Sequence, residues 1–272
     1  MVSQNAPLIA LAAGGTAGHV FPAEALAAEL AKRGCRLALI TDERGGAMDA
    51  GFNGVQLFRI RAGGIAGKGL AARIKSALEI LAGTIQAWFI LKRIKPQVVV
   101  GFGGYASVPT MLAAKFCTLS VPRMGHEQNA VLGRANRLLA GGVSQIATSF
   151  DKVAAMPEVA AGVIRTGMPV RPAVAHLRSN PYPERAPAQP IDILVFGGSQ
   201  GASVFTQVVP AAIARLEEDL RARLSIVQQC RSDDLDAATA AYRDMGVAAE
   251  LASFFDDLPA RMAAAHLIIC RS

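Results

Sequence analysis

No two cysteines stand close enough to form a CxxC pair: Cys35, Cys117, Cys230 and Cys270 are spread along the chain. That spacing argues against a redox dithiol or a zinc knuckle and predicts buried, reduced thiols in a cytosolic protein. None of the four histidines is paired at metal-ligand spacing, so no protein-held metal or cofactor is expected. The "DLD" stretch, Asp234 to Asp236, precedes an alanine-rich segment and reads as a helix cap rather than a metal motif. Charge is sparse, at 18% of residues against 52% hydrophobic, which excludes wholesale disorder. The N-terminus lacks the basic start of a signal peptide. The longest nearly uncharged run, "ALEILAGTIQAWFIL" (77–91), is too short to cross a bilayer, so no transmembrane segment is predicted.

Two nucleotide fingerprints are also missing. GxGxxG would need glycine at 16 and 19, where the chain has Thr16 and His19, and the Walker pattern is absent. A redox dinucleotide site and an ATPase are therefore disfavoured.

What is present is a βα alternation. "LIALAA" (8–13) is a short apolar strand, followed by glycines and by a helix over 22–33 that starts at Pro22 and ends at Gly34. "RLALITD" (36–42), "PQVVVGFGG" (96–104), "VPRMGHEQN" (121–129) and "SQIATS" (144–149) continue the pattern as strands or strand ends. This predicts a doubly wound α/β domain over 1–172. Six prolines between Pro169 and Pro190 mark a linker at 173–190. The pattern then restarts at "IDILVFGGSQGASVF", and "RLSIVQQC" and "HLIICRS" read as further strands. "LAAGGTAGHVFP" and "LVFGGSQGASVF" match as strand, GG, hydroxyl, any residue, G, helix. Two similar Rossmann-like domains with a cleft between them are the simplest architecture. Residues 191–272 fall below the usual domain size of about 100–150 residues and stop on a strand, so the second domain is expected to be incomplete.

Glycine turns that open helices suit phosphate, because they present unpaired N–H groups at a positive helix end. The two copies differ at one point: His19 in the first aligns with Ala202 in the second. A neutral imidazole there has two readings, general base or capping and positioning group. "GHEQN", Gly125 to Asn129 with its polar residues from His126 on, is a donor- and acceptor-rich cluster after a strand, suited to sugar hydroxyls or to a plain polar turn. Arg171 stands at the domain boundary, where it could clamp a diphosphate.

Positive charge is concentrated in the first half: 19 of the 28 Lys and Arg lie in residues 1–172, against 9 of the 21 acids. Between Arg59 and Lys95, eight basic residues surround Leu70, Ile74, Leu78, Leu81, Ile85, Trp88 and Phe89 at helical spacing. Two readings stand, an anionic membrane surface or a core-facing helix with solvated lysines, and most of the apolar face is expected to be core. Nucleic acid is not expected, since no recognition motif accompanies the charge.

Six ordered stretches, "GGTAGHVFPAEALAAEL", "GFGGYASVPTMLAA", "HEQNAVLGRANRLLA", "GMPVR", "GGSQGASVFTQVVP" and "FFDDLPARMAAAHLIICRS", resemble the undecaprenyldiphospho-muramoylpentapeptide β-N-acetylglucosaminyltransferases of bacterial peptidoglycan synthesis. The resemblance implies a two-domain GT-B fold. It implies inverting transfer of N-acetylglucosamine from UDP-GlcNAc to the muramoyl 4-hydroxyl of lipid I, giving lipid II at the inner face of the plasma membrane. Carried across, Thr16, Ala17 and Gly18 would line the donor sugar and His19 would be the base or positioning group. Asn129, Arg171 and Ser199 would hold the donor, Phe255 would lie against the uracil, and His126 and Glu127 would stand on the acceptor side. Two departures stand out. Ala17 replaces a glycine of the family's GGTGGH turn, and the family's "GALTVSE" continuation after "CRS" is absent. The second departure leaves an alternative, a truncated non-catalytic binder of lipid I or of cell-wall partners at the membrane. A UDP-sugar epimerase on the same fold is disfavoured by "GHEQN" and "GGSQGA".

Overall fold

The computed structural model describes residues 6–42, 51–63, 69–117, 121–158, 162–186, 189–198 and 202–271. The chain divides into two compact units, Met1–Pro172 and Ala173–Ser272.

In the first unit the strands are β1 (Leu8–Ala12), β2 (Arg36–Asp42), β3 (Gln56–Ile60), β4 (Val98–Gly101), β5 (Arg123–Glu127), β6 (Gln145–Thr148) and β7 (Gly162–Arg165). They form one parallel sheet in the order β3-β2-β1-β4-β5-β6-β7. Its helices are α1 (Ala17–Lys32), α2 (Leu70–Ile94), α3 (Gly104–Cys117) and α4 (Arg134–Leu139). Successive strand residues point to opposite faces, and the core divides accordingly. Ala10, Ile40, Ile60 and Val99 pack with Ala87 and Leu91 of α2 and with Val108 and Met111 of α3. Leu11, Leu39 and Val100 pack with Val20, Ala23 and Ala27 of α1. Burying each Val, Leu or Ile contributes about 1.5–3 kcal/mol, which is why the central strands are apolar on both faces.

A short helix α5 (Pro172–Ala175) begins at the boundary, and a 3₁₀ turn over His176–Ser179 follows it within the proline-rich stretch. The second unit has β8 (Ile191–Phe196), β9 (Leu224–Gln229), β10 (Ala248–Ala252) and β11 (Leu267–Cys270), in the parallel order β10-β9-β8-β11. That order repeats the β3-β2-β1-β4 half of the first sheet. Helices α6 (Ser203–Ile213), α7 (Glu218–Arg221), α8 (Leu235–Asp244) and α9 (Leu258–Ala264) complete it. Ile193, Val195, Ile226, Val209, Ile213 and Tyr242 form its core.

Several expectations are corrected. α1 starts at Ala17, not Pro22, so Pro22 lies inside the helix and forgoes one backbone bond there. Cys230 is buried, but Cys35 is only half-buried and Cys270 is exposed. Asp234 does sit at the start of α8, yet its side chain makes no capping hydrogen bond. The nearly uncharged run 77–91 extends at both ends into a helix of 25 residues. By length and composition alone α2 could cross a membrane. Instead it is built into the first unit, with Ser76, Ala87 and Leu91 buried. Gly83 lies so close to the Arg61 carbonyl that any side chain there would overlap it.

Candidate functional site

The two glycine turns have the same physical design. A Cβ on Gly14 would stand 2.7 Å from the Ala106 Cβ and 2.8 Å from the Thr41 Oγ1, and one on Gly197 would overlap Ala202. The next glycine in each turn is left-handed, Gly15 at φ +83° and Gly198 at φ +84°. Helices α1 and α6 follow. Ser199 lies outside the described residues.

In the first turn, Thr16 is the N-cap residue but spends no side-chain bond on capping. Ala17 is buried and takes no left-handed conformation, so its methyl is accommodated within the helix start. Gly18 is exposed and His19 half-exposed in the first helical turn. The His19 Nδ1 stands 2.9 Å from the Phe102 carbonyl oxygen. A carbonyl only accepts, so Nδ1 carries a proton, and the tautomer this bond selects has its lone pair on Nε2. A Cβ on Gly104 would be 2.8 Å from the His19 Cδ2, so the absence of a side chain there makes room for the ring. His19 follows β1 and Phe102 follows β4. These strands are neighbours whose helices α1 and α3 cover opposite faces of the sheet. That is the topological switch point, where open α/β sheets bind ligands beyond their strand ends.

The GHEQN cluster ends β5, next to β4. Glu127 is 1% exposed and accepts four hydrogen bonds. Oε1 receives the Asn129 N–H at 3.0 Å and the Asn129 Nδ2 at 2.9 Å, and Oε2 receives the Gly133 N–H at 2.8 Å and the Asn136 Nδ2 at 2.9 Å. The carboxylate therefore organises its own loop. His126 is 3% exposed, with Nε2 3.4 Å from the Gly167 carbonyl. Burial lowers its pKa, outweighing the Gly167 bond and the nearby Glu127, and keeps the ring neutral. His126 and Glu127 are thus both buried: the Glu127 carboxylate holds its loop, and the His126 ring faces the Gly167 carbonyl. Asn129 is exposed, its Nδ2 is held by Glu127, and among the described residues its Oδ1 accepts no hydrogen bond. Gln128 is buried and donates from Nε2 to the Phe102 carbonyl at 2.7 Å.

The Arg171 guanidinium lies 3.8 Å from the centroid of the Phe21 ring, which brings it to the His19 end of α1. Glu24, one turn further along, has its pKa raised by burial, offset in part by Arg171. In the second unit Phe255 is buried, and the Arg261 guanidinium covers its ring at 4.3 Å. Arg261 is itself fixed by Glu250 and Asp257. The adjacent Phe254 is 60% exposed. The free aromatic at this corner is therefore Phe254, which the sequence reading passed over in favour of Phe255. Among the described residues no group of three His, Cys, Asp or Glu gathers to hold a metal.

Outside the turns, α2 carries the largest departure from expectation. Ile74, Leu78, Leu81, Ile85 and Phe89 form one stripe at helical spacing, and each is 49–61% exposed. The stripe is surface, not core. Arg73 and Lys75 lie near one end, and Lys92 and Arg93 lie at the other. Lys92 is held over the Trp88 ring at 5.3 Å and Arg93 over the Phe58 ring at 5.3 Å. Lys68 lies outside the described residues.

The comparisons with known proteins agree with the two-unit fold. The glycosyltransferase family 28 N-terminal domain matches residues 9–148, and the family 28 C-terminal domain matches residues 192–272. The UDP-N-acetylglucosamine–N-acetylmuramyl-(pentapeptide) pyrophosphoryl-undecaprenol N-acetylglucosamine transferase of Paramagnetospirillum magneticum is 55% identical over 272 residues, covering 100% of this chain and 73% of the relative. Its namesake in Rhodospirillum rubrum is 54% identical over 98% of this chain and 68% of the relative. The crystal structure of Acinetobacter baumannii MurG superposes with a TM-score of 0.65 at 29% identity, covering 97% of this chain and 71% of that one. A UDP-GlcNAc 2-epimerase from Neisseria meningitidis shares the fold alone, with a TM-score of 0.61 at 14% identity, over 97% of this chain and 77% of that one.

Proposed function

The chain belongs to glycosyltransferase family 28, and from that premise we infer that it transfers N-acetylglucosamine from UDP-GlcNAc to the muramoyl 4-hydroxyl of lipid I, giving lipid II for peptidoglycan synthesis. The observation that carries this reading is His19. It stands at the switch point of the first sheet, with Nδ1 committed to a carbonyl and Nε2 left to take a proton. The reaction is a single displacement. The acceptor oxygen bonds to the anomeric carbon as the bond to the UDP oxygen breaks, and the hydroxyl proton passes to His19 Nε2. Inversion follows from attack on the face opposite the leaving group. The departing diphosphate needs positive charge; the N-terminus of α6 would offer it in the second unit, and the Arg171 guanidinium is the candidate in the first.

Around that step, Thr16 and Gly18 line the donor, and Asn129 offers Oδ1 to a sugar hydroxyl. By the resemblance, Ser199 would meet the diphosphate. Phe254, rather than Phe255, presents a free face to the uracil. Lipid I-dependent release of UDP is the direct assay. In it, Arg171→Ala is expected to raise the KM for UDP-GlcNAc about tenfold or more, through loss of charge-assisted bonds to phosphate. An unchanged KM would place Arg171 outside the donor site.

The α2 stripe supports peripheral binding at the cytoplasmic face of the plasma membrane. Its apolar residues would enter the interface while the flanking Lys and Arg side chains meet anionic headgroups. Leu78→Glu with Leu81→Glu is expected to weaken co-sedimentation with phosphatidylglycerol vesicles by about tenfold or more. High salt is expected to weaken the binding of the unmodified protein. Undiminished sedimentation of the double variant would assign the stripe another role.

A further inference from the structure

The Phe102 carbonyl accepts two side-chain hydrogen bonds, one from His19 Nδ1 at 2.9 Å and one from Gln128 Nε2 at 2.7 Å. We propose that Gln128 is a positioning residue for His19, acting through this shared carbonyl. The proposal rests on His19 as the proton acceptor for its catalytic consequence, but the positioning itself can be read without catalysis.

Three features single out this carbonyl. First, it lies in "GFGGY", where Gly103 and Gly104 adopt φ +80° and +69°. Glycines on its C-terminal side leave the peptide plane little steric constraint, so its direction is set by what bonds to it. The Phe102 N–H is tied to the Ala12 carbonyl of β1 at 2.9 Å. That bond fixes the nitrogen side of the residue and leaves the next peptide to be held by its oxygen. Second, Gln128 reaches that oxygen from the end of β5, on the far side of β4 from His19. It is only 7% exposed, so its amide works in a protein environment rather than against water. Only its N–H can face a carbonyl, which also fixes the amide orientation. Third, the His19 ring has little slack. Its Nδ1 edge meets the carbonyl, and its Cδ2 and Nε2 edge lies against the Gly104 backbone, where a Cβ would be 2.8 and 3.2 Å away. Rotation of the Phe102 carbonyl would therefore release both the tautomer and the aim of Nε2. Strands β1, β4 and β5 thus hold one imidazole through a single oxygen, and Gln128 is the outermost member of that chain.

Gln128→Met keeps the volume and removes the N–H. It is expected to lower kcat about 10- to 100-fold, as small misplacements of a reacting group do, with the KM for UDP-GlcNAc within about twofold of the unmodified value. In a His19→Ala background the same substitution is expected to have no further effect on kcat. Histidine ¹⁵N spectra of the full chain give a readout without turnover. The unmodified protein is expected to show His19 as the Nδ1–H tautomer, and Gln128→Met to shift it toward exchange with the Nε2–H form. Additive losses in the double variant, or an unaltered His19 signal in Gln128→Met, would overturn the proposal. If Gln128→Met does not fold, the unmodified spectrum still decides, because an Nε2–H tautomer there is incompatible with the shared carbonyl. If His19→Ala retains full turnover while Gln128→Met still shifts the His19 signal, the base assignment fails and the positioning role stands.

Discussion

His19→Ala is expected to lower kcat by about 10²- to 10⁴-fold, the usual contribution of a positioned general base. The KM for UDP-GlcNAc is expected to stay within about twofold, because a group that acts only on the proton in transit adds nothing to ground-state binding. The structural basis is the division of labour within the ring. Nδ1 is committed to Phe102, Nε2 is free, and the side chain is half-exposed rather than buried. His126 provides the internal contrast. It is also an imidazole beside a strand end, but it is 3% exposed and bonded towards Gly167. His126→Ala should therefore act through stability and not through the proton transfer. Steady-state kinetics on both variants, with lipid I and UDP-GlcNAc varied separately, checks the distinction. Equal effects on kcat and on donor affinity for His19→Ala would reduce His19 to a positioning group.

Glu127→Ala is expected to destabilise the first unit by about 3–5 kcal/mol, the range found when one partner of a buried, satisfied charge network is removed. Two backbone N–H groups and two side-chain amides lose their acceptor at once. Asn136 is 7% exposed, so its amide has little access to water once the carboxylate is gone. Glu127→Gln retains one oxygen and should cost roughly half as much, since an amide N–H₂ would then face donors on the other side. Urea unfolding followed by far-ultraviolet circular dichroism measures both. Activity should fall with the folded fraction, and in the folded molecules Asn129 would lose the bond that fixes its amide. A Glu127→Ala protein of unchanged stability but no activity would return the carboxylate to a direct role with substrate.

The parts of this protein that could be read from sequence are those where one physical requirement dominates. β1, the glycine turn and α1 are legible because an apolar strand, a left-handed glycine and a helix start each leave a local mark. The same marks at 197 and 198 reveal the second unit. Strands β3, β7 and β10 were not legible. "QLFRI" carries a charge in mid-strand, "GVIR" is an exposed strand at the edge of its sheet, and "AAELA" is composed of helix formers. Pairing with a neighbour, not local propensity, makes them strands.

The α2 stripe stayed open between surface and core for a related reason, and the expectation that most of it is core is the part the structure overturns. Helical spacing of Ile74, Leu78, Leu81, Ile85 and Phe89 states that they share a face, and only tertiary packing decides whether that face is covered. His126 and Glu127 looked like loop residues awaiting a ligand because polar residues usually end strands in solvent. Here β5 carries them inside, and Asn136, nine residues beyond Glu127, supplies the satisfying donor that makes burial affordable. Gln128 stands out in the sequence only as a member of the GHEQN cluster, since its own role depends on a carbonyl 26 residues away.

The central claim is a transfer with inversion, on a fold shared with enzymes that handle the same nucleotide sugar differently. The most direct measurement is to incubate the protein with UDP-GlcNAc labelled in the sugar and a soluble lipid I analogue, and to identify the labelled product by NMR. A β-linked disaccharide on the muramoyl 4-hydroxyl, formed one for one with UDP, is expected. Label recovered as the 2-epimer of UDP-GlcNAc, or as free sugar with the lipid I analogue unchanged, would contradict it.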